Sequence, residues 1–114
     1  MKKTTIVIMA DFGGCPYAWV DGECVGDGNG FEPEYNVSQT LQNDFSDWIN
    51  KFDDCFYTKE FDWNSFHSQG LMLTKILTEE IGDEFTIEYQ YPIEDPKYLQ
   101  DYENETGKHI VKMN

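Results

Sequence analysis

A chain of 114 residues with 22 acidic and 8 basic side chains carries −14 at neutral pH, and every basic residue is a lysine. Such a charge repels anionic lipid and the nucleic-acid backbone, and it is well past the net charge of roughly 2–8 that keeps a small domain soluble. Aromatics make up 16% of the chain, which excludes disorder for all but the ends, since disordered segments carry few of them.

The length suits one domain, residues 1–114, able to bury roughly two thirds of the surface that the unfolded chain exposes. Residues 92–114 read as a less regular C-terminal extension. Cys15, Cys24 and Cys55 form no CxxC pair and leave one over, so a reducing cytoplasm is the simpler expectation than a disulfide framework. Met1-Lys2-Lys3 precedes an apolar run, Ile6 to Ala10, that is too short for a signal-peptide core. No stretch approaches the ~18 apolar residues of a membrane span.

In chain order, Thr4 to Ala10 is β-branched and continuously apolar, the pattern of a central strand covered on both faces. Tyr17 to Val25 reads as a hairpin turning at Asp21-Gly22. Gly26 to Gly30 is loop, and Glu32-Pro33-Glu34 continues it. Val37, Leu41, Phe45, Trp48, Ile49, Phe52 and Phe56 then recur at steps of four, four, three, one, three and four. That is one face of a helix, with Ser38 as its N-cap and Asn43, Asp44, Asp47, Asn50, Lys51 and Asp54 on the opposite face.

A second helix opens at Asp62 and runs through Trp63, Phe66, Leu73, Ile76, Leu77 and Ile81, with Gly82 as a C′ residue of positive φ. Gly70 lies inside it at a cost of about 1 kcal/mol relative to alanine, which suits close approach of another backbone. The short link between the helices predicts an antiparallel pair. From Phe85 the period becomes two: Phe85, Ile87, Tyr89 and Tyr91 alternate with Thr86, Glu88 and Gln90, a strand with one wet face. Lys97 to Glu103 reads as a short helix and His109 to Met113 as a last edge strand. This order predicts an α+β two-layer sandwich, a small, mostly antiparallel sheet with the antiparallel helix pair on one face.

No catalytic pattern stands out. Asp11-Phe12-Gly13 spells a kinase magnesium motif without the other kinase elements, and a turn is the better reading. Residues 21–32 fit a calcium loop in neither register, because Val25 falls on a ligand position in both. Cys15, Cys24, Cys55 and His67 lack the close pairing of zinc ligands. Cys15 with His67 has no nucleophile signature, and among so many carboxylates a glycosidase-like pair carries no information. The expectation is therefore a non-enzyme without cofactor or metal.

From Thr4 to Asn50 there is no lysine or arginine, against eight acids: Asp11, Asp21, Glu23, Asp27, Glu32, Glu34, Asp44 and Asp47. A field of that sign speeds encounter with a basic protein. Trp48, Phe52, Trp63 and Phe66 lie on the apolar helix faces and read as core, whereas Tyr17 and Trp19, in a short hairpin beside acidic loops, are open to an interface role.

Asp11-Phe12-Gly13, Trp19, Asp21-Gly22, Leu41, Trp48 and Phe52, followed by Asp62-Trp63, Phe66, Gly70, Leu73, Leu77 and Ile81-Gly82, give an order that resembles small acidic immunity proteins of bacterial contact-dependent-inhibition and related polymorphic toxin systems. The likeness covers about residues 4 to 91 and carries over no catalytic or contact residue. It implies a cytoplasmic protein that binds and neutralises a cognate basic toxin C-terminal domain, often a nuclease, with no nucleic-acid or membrane partner. The expected contact set is Trp19, Asp21, Glu23, Asp27, Glu32, Glu34, Asp44 and Asp47. The alternative is a phage-encoded acidic nucleic-acid mimic that inhibits a host nuclease, for which Asp44, Asp47 and Asp54 supply only a partial carboxylate row.

Overall fold

The computed structural model describes residues 4–10, 17–20, 23–24, 31, 35–55, 61–91 and 110–114, with the backbone alone described at 23–24 and 53–55. The elements are β1 (Thr4–Ile8), β2 (Ala18–Val20), β3 (Glu23–Cys24), α1 (Gln39–Cys55), α2 (Trp63–Ile81), β4 (Phe85–Gln90) and β5 (Ile110–Lys112). The strands form one sheet in the order β3-β2-β1-β4-β5. Strands β2 and β3 pair antiparallel with Val20 opposite Glu23, the register that a two-residue hairpin requires. The turn at Asp21-Gly22, the loop 26–30, the Asp11-Phe12-Gly13 motif and the predicted helix 97–103 lie outside the described residues.

The β1–β4 pair is parallel, Ile6 opposite Ile87 and Ile8 opposite Tyr89, and the other pairs are antiparallel. Parallel neighbours need a long crossover, and the segment holding both helices supplies it. Because side chains alternate along a strand, one face of the sheet carries Ile6, Ile8, Ala18, Ile87 and Tyr89, all buried. These pack into one core with Leu41, Phe45, Trp48 and Phe52 of α1 and Phe66, Leu73, Leu77 and Ile81 of α2. Each such large side chain contributes about 1.5–3 kcal/mol on burial.

Strand β1 is central, as its composition predicts, but both helices pack on the same face. On the other face, cross-strand registers align Cys24, Trp19, Val7, Glu88 and Lys112 in one row. Val7 and Met9 there are only half-buried. The unbroken apolar run of β1 arises because those two residues line the same face as Trp19; among the described residues no second layer covers them.

The helices begin as read. The Ser38 hydroxyl accepts from the Leu41 amide at 3.2 Å, and the Asp62 carboxylate accepts from the Ser65 amide at 3.1 Å and from its hydroxyl at 2.8 Å. Those bonds hold the Asp62 carboxyl below its usual range. Trp48 meets Phe66, Phe52 meets Trp63, and the Ser38 amide and hydroxyl donate to the Glu80 carboxylate at 2.8 and 2.7 Å. The start of α1 therefore lies beside the end of α2, and the pair is antiparallel. Asn36, with φ 58°, turns the chain into α1 in a conformation that asparagine tolerates better than most residues.

Two glycines differ from expectation. Gly82 sits at φ −64° in the right-handed region, not at positive φ. Its lack of a side chain matters for space instead, since a Cβ would meet the Thr78 carbonyl oxygen and approach Asn114 Nδ2 to 3.1 Å. At Gly70 the close neighbours are the Trp48 and Tyr89 rings, at 2.6 and 2.8 Å from where a Cβ would stand. Side chains, rather than another backbone, fill the gap.

The edge strand predicted over 109–113 is present as β5, and Asn114 secures it. Its Oδ1 accepts from the Ile87 amide at 2.9 Å, while Nδ2 donates to the carbonyls of Phe85 and Gly82 at 2.9 and 3.0 Å. The carboxamide thus serves β4 as a peptide unit would. Asn114→Ala is expected to cost about 1–2 kcal/mol, because the part-buried Ile87 amide loses its acceptor. Hydrogen exchange at that amide should quicken relative to its neighbours. Unchanged exchange would show that the clamp contributes nothing.

Candidate interaction surface

Trp19, on β2, is fixed by the residue that follows the neighbouring strand β1. Its Nε1–H donates to the Met9 carbonyl at 3.2 Å, which lays the indole along the sheet on the face away from the helices. Val7, Met9, Trp19 and Gln90 line an open depression of about 330 Å³ there. No helix or strand of the described residues lies over it. Among the described residues its walls are an indole, an isopropyl group, a thioether and a primary amide, with the Glu88 carboxylate on the same face two residues before Gln90.

Asp44 and Asp47 are exposed on α1, about one turn apart on the outer surface of the helix layer. The sheet face of Trp19 is turned the other way. Of the predicted contact residues, then, Asp44 and Asp47 share a surface, and Trp19 does not belong to it. Glu23 is placed only by its backbone, opposite Val20. Asp21, Asp27, Glu32 and Glu34 lie outside the described residues.

Further exposed acids lie outside the lysine-free half. Glu79 and Glu80 end α2, and Asp83 and Glu84 follow in the turn. Neither helix has an acid in its first turn or a base in its last, the reverse of what the helix dipole favours. Asp53 and Asp54 near the end of α1 repeat the pattern in sequence. Acids at a helix C-terminus cost about 0.3–1 kcal/mol each at low salt. That inverted preference was legible in the sequence. Glu80 offsets its cost by capping α1, while Glu79 has no such role among the bonds described.

Tyr17 is not available to a partner. It is buried, stacked on Phe45 at 4.9 Å and edge-on to Phe31 at 6.0 Å. Among the described residues its hydroxyl finds no hydrogen-bond partner, and burial pushes its pKa up to about 12. An unmet buried hydroxyl costs about 1–3 kcal/mol, so Tyr17→Phe is expected to stabilise the fold by about 1 kcal/mol in urea titrations. In the native protein the neutral phenol is favoured. Stability should therefore fall as pH rises from about 10, where the unfolded phenol ionises, toward about 12, and the variant should lack that part of the loss. A less stable Tyr17→Phe would mean that the hydroxyl has a partner in solution.

His67 is likewise structural. It is buried, with Nδ1 at 3.0 Å from the Tyr89 hydroxyl and its ring against those of Trp63 and Tyr91. Among the zinc candidates, Cys15 lies outside the described residues, and Cys24 and Cys55 are placed by backbone alone. Among the described residues, no three His, Cys, Asp or Glu side chains converge as metal ligands. A second, smaller depression of about 160 Å³ sits where the helices meet their connection. Its Lys51 donates to Gln69 at 3.1 Å, and its Asp62 is engaged in the cap of α2. Of the described residues, no helix is long and apolar enough to cross a membrane.

The fold and surface thus define a small α+β protein with an anionic helix layer and an aromatic depression on the opposite sheet face. No family model, curated protein or solved structure matches the chain.

Proposed function

We propose that this chain is a non-enzymatic immunity protein that, in the cytoplasm, binds and neutralises a cognate basic toxin domain, most simply a nuclease. The observation that carries the reading is negative charge retained against local stability. The chain holds −14 overall, and it keeps Glu79 exposed at the end of α2, with Asp83 and Glu84 exposed in the turn that follows, where the dipole disfavours them and none of the bonds described repays the cost. Features that break a local rule without a structural return belong to function more often than to folding. The motif order of the sequence supports the same reading by resemblance.

In this mechanism the carboxylates stand in for the phosphates that a nuclease groove grips. Steering by opposite charge brings association toward about 10⁸–10⁹ M⁻¹s⁻¹ at low salt, and buried aromatic contacts then set the off-rate. The test is co-purification with the product of the neighbouring gene, followed by association kinetics over a range of salt. Tight 1:1 binding is expected, with an on-rate that falls steeply as salt rises. Asp44→Lys with Asp47→Lys should slow association several-fold at unchanged stability; an unchanged on-rate would move the interface off α1. A neighbouring product that neither binds nor harms cells lacking this protein would end the proposal.

A further inference from the structure

We infer that the sheet face away from the helices is a docking site, and that the depression at Trp19 seats an arginine side chain of the basic partner. The inference rests on the toxin-binding reading for the partner's charge, and on geometry for the place.

The depression, about 330 Å³, lies at the lower end of the roughly 300–1,000 Å³ of small-ligand sites. Its lining suits one amphipathic cation. Val7 and Met9 offer apolar contact to an aliphatic stem, and the Trp19 ring offers a face for the charged head. Gln90 supplies an amide at the same depression, and Glu88 a carboxylate farther along β4 on the same face. A guanidinium fits that set better than an ammonium, because it is planar, stacks on indole and bonds carboxylates through two donors.

The charge of the chain selects the sign of the occupant. With −14 overall, an acidic side chain would be repelled and a basic one drawn in. Among the described residues, Lys112 is the basic group nearby on this face, exposed and opposite Glu88 in register. It is a competitor for that carboxylate, so Lys112→Gln should tighten the site rather than weaken it. The indole is also held in place before binding, since its N–H is bonded to the Met9 carbonyl. A preorganised aromatic ring loses little freedom when it is covered.

The probe is N-acetyl-arginine methylamide, titrated against isotopically labelled protein and followed by NMR. The expected result is saturable shifts at the Trp19 indole N–H and the Val7 and Met9 methyl groups. The lysine analogue should bind more weakly, and the glutamate analogue should not shift these signals. Trp19→Ala should weaken binding by about tenfold. Trp19→Phe keeps a ring on the strand and should retain most of the binding, which guards against a variant that merely unfolds. Shifts that do not saturate, or that centre on Asp44 and Asp47, would overturn the inference. In that event a toxin domain that still binds keeps the immunity reading, with its interface on the helix layer. Saturable binding at Trp19 beside a neighbouring gene product that does not bind would instead keep the site and overturn that reading.

Discussion

Trp48→Ala is expected to cost about 3–5 kcal/mol, a large share of the roughly 5–15 kcal/mol that holds a typical domain together. Trp48 is fully buried where α1, α2 and the sheet meet. It stacks on Phe66 at 4.5 Å and lies 6.2 Å from both Phe45 and Tyr89. Its Nε1–H donates to the Phe66 carbonyl at 2.9 Å inside the core. Truncation opens a cavity against three elements at once, and the rings around it cannot all move in. Trp48→Phe should recover more than half of the loss, because it keeps the stack and gives up only ring area and one hydrogen bond. Urea unfolding measures both. A loss below about 1 kcal/mol for Trp48→Ala would show that the core collapses onto the site without difficulty.

Gly70→Ala is expected to destabilise the protein by about 1–3 kcal/mol, although alanine favours a helix interior by about 1 kcal/mol over glycine. Space decides the sign. A Cβ at position 70 would stand 2.6 Å from Trp48 Cζ2, 2.8 Å from Tyr89 Cε1 and 2.9 Å from Tyr89 Oη. Both rings are buried, so neither has room to swing away. The Thr74 hydroxyl, bonded to the Gly70 carbonyl at 2.6 Å, also holds that turn of α2 in place. Thermal unfolding of the variant should show a lower midpoint. A higher midpoint would mean that propensity outweighs crowding and that the rings sit farther off in solution.

The two variants probe one junction from its two sides, and they are not independent. Trp48 touches the space above Gly70, so Gly70→Ala should cost less in a Trp48→Phe background than in the native chain.

The interface prediction divides along the sandwich. Charge and aromatic character, read along the chain, place Asp44, Asp47 and Trp19 in one set. Asp44 and Asp47 face outward from α1, whereas Trp19 belongs to the row of Cys24, Val7, Glu88 and Lys112 across the sheet. Tyr17, two residues before Trp19, points to the core side and stacks on Phe45. Period-two alternation along a strand predicts that Tyr17 and Trp19 share a face. The structure separates them because Tyr17 precedes β2 and its side chain is not bound to the pleat.

By itself the sequence determined the helices, their capping residues Ser38 and Asp62, the central position of β1, the hairpin register and the acidity. These follow from spacing and side-chain chemistry within a few residues, where local physics is sufficient. Tertiary structure alone decided that β4 lies parallel beside β1, that Gly70 makes room for two rings, that Gly82 needs space rather than positive φ, and that Asn114 closes the sheet edge. It also decided which face of the sheet the helices leave open, and hence where Trp19 stands. Each of these depends on residues distant in the chain becoming neighbours, and no periodicity within one element encodes which neighbours those will be.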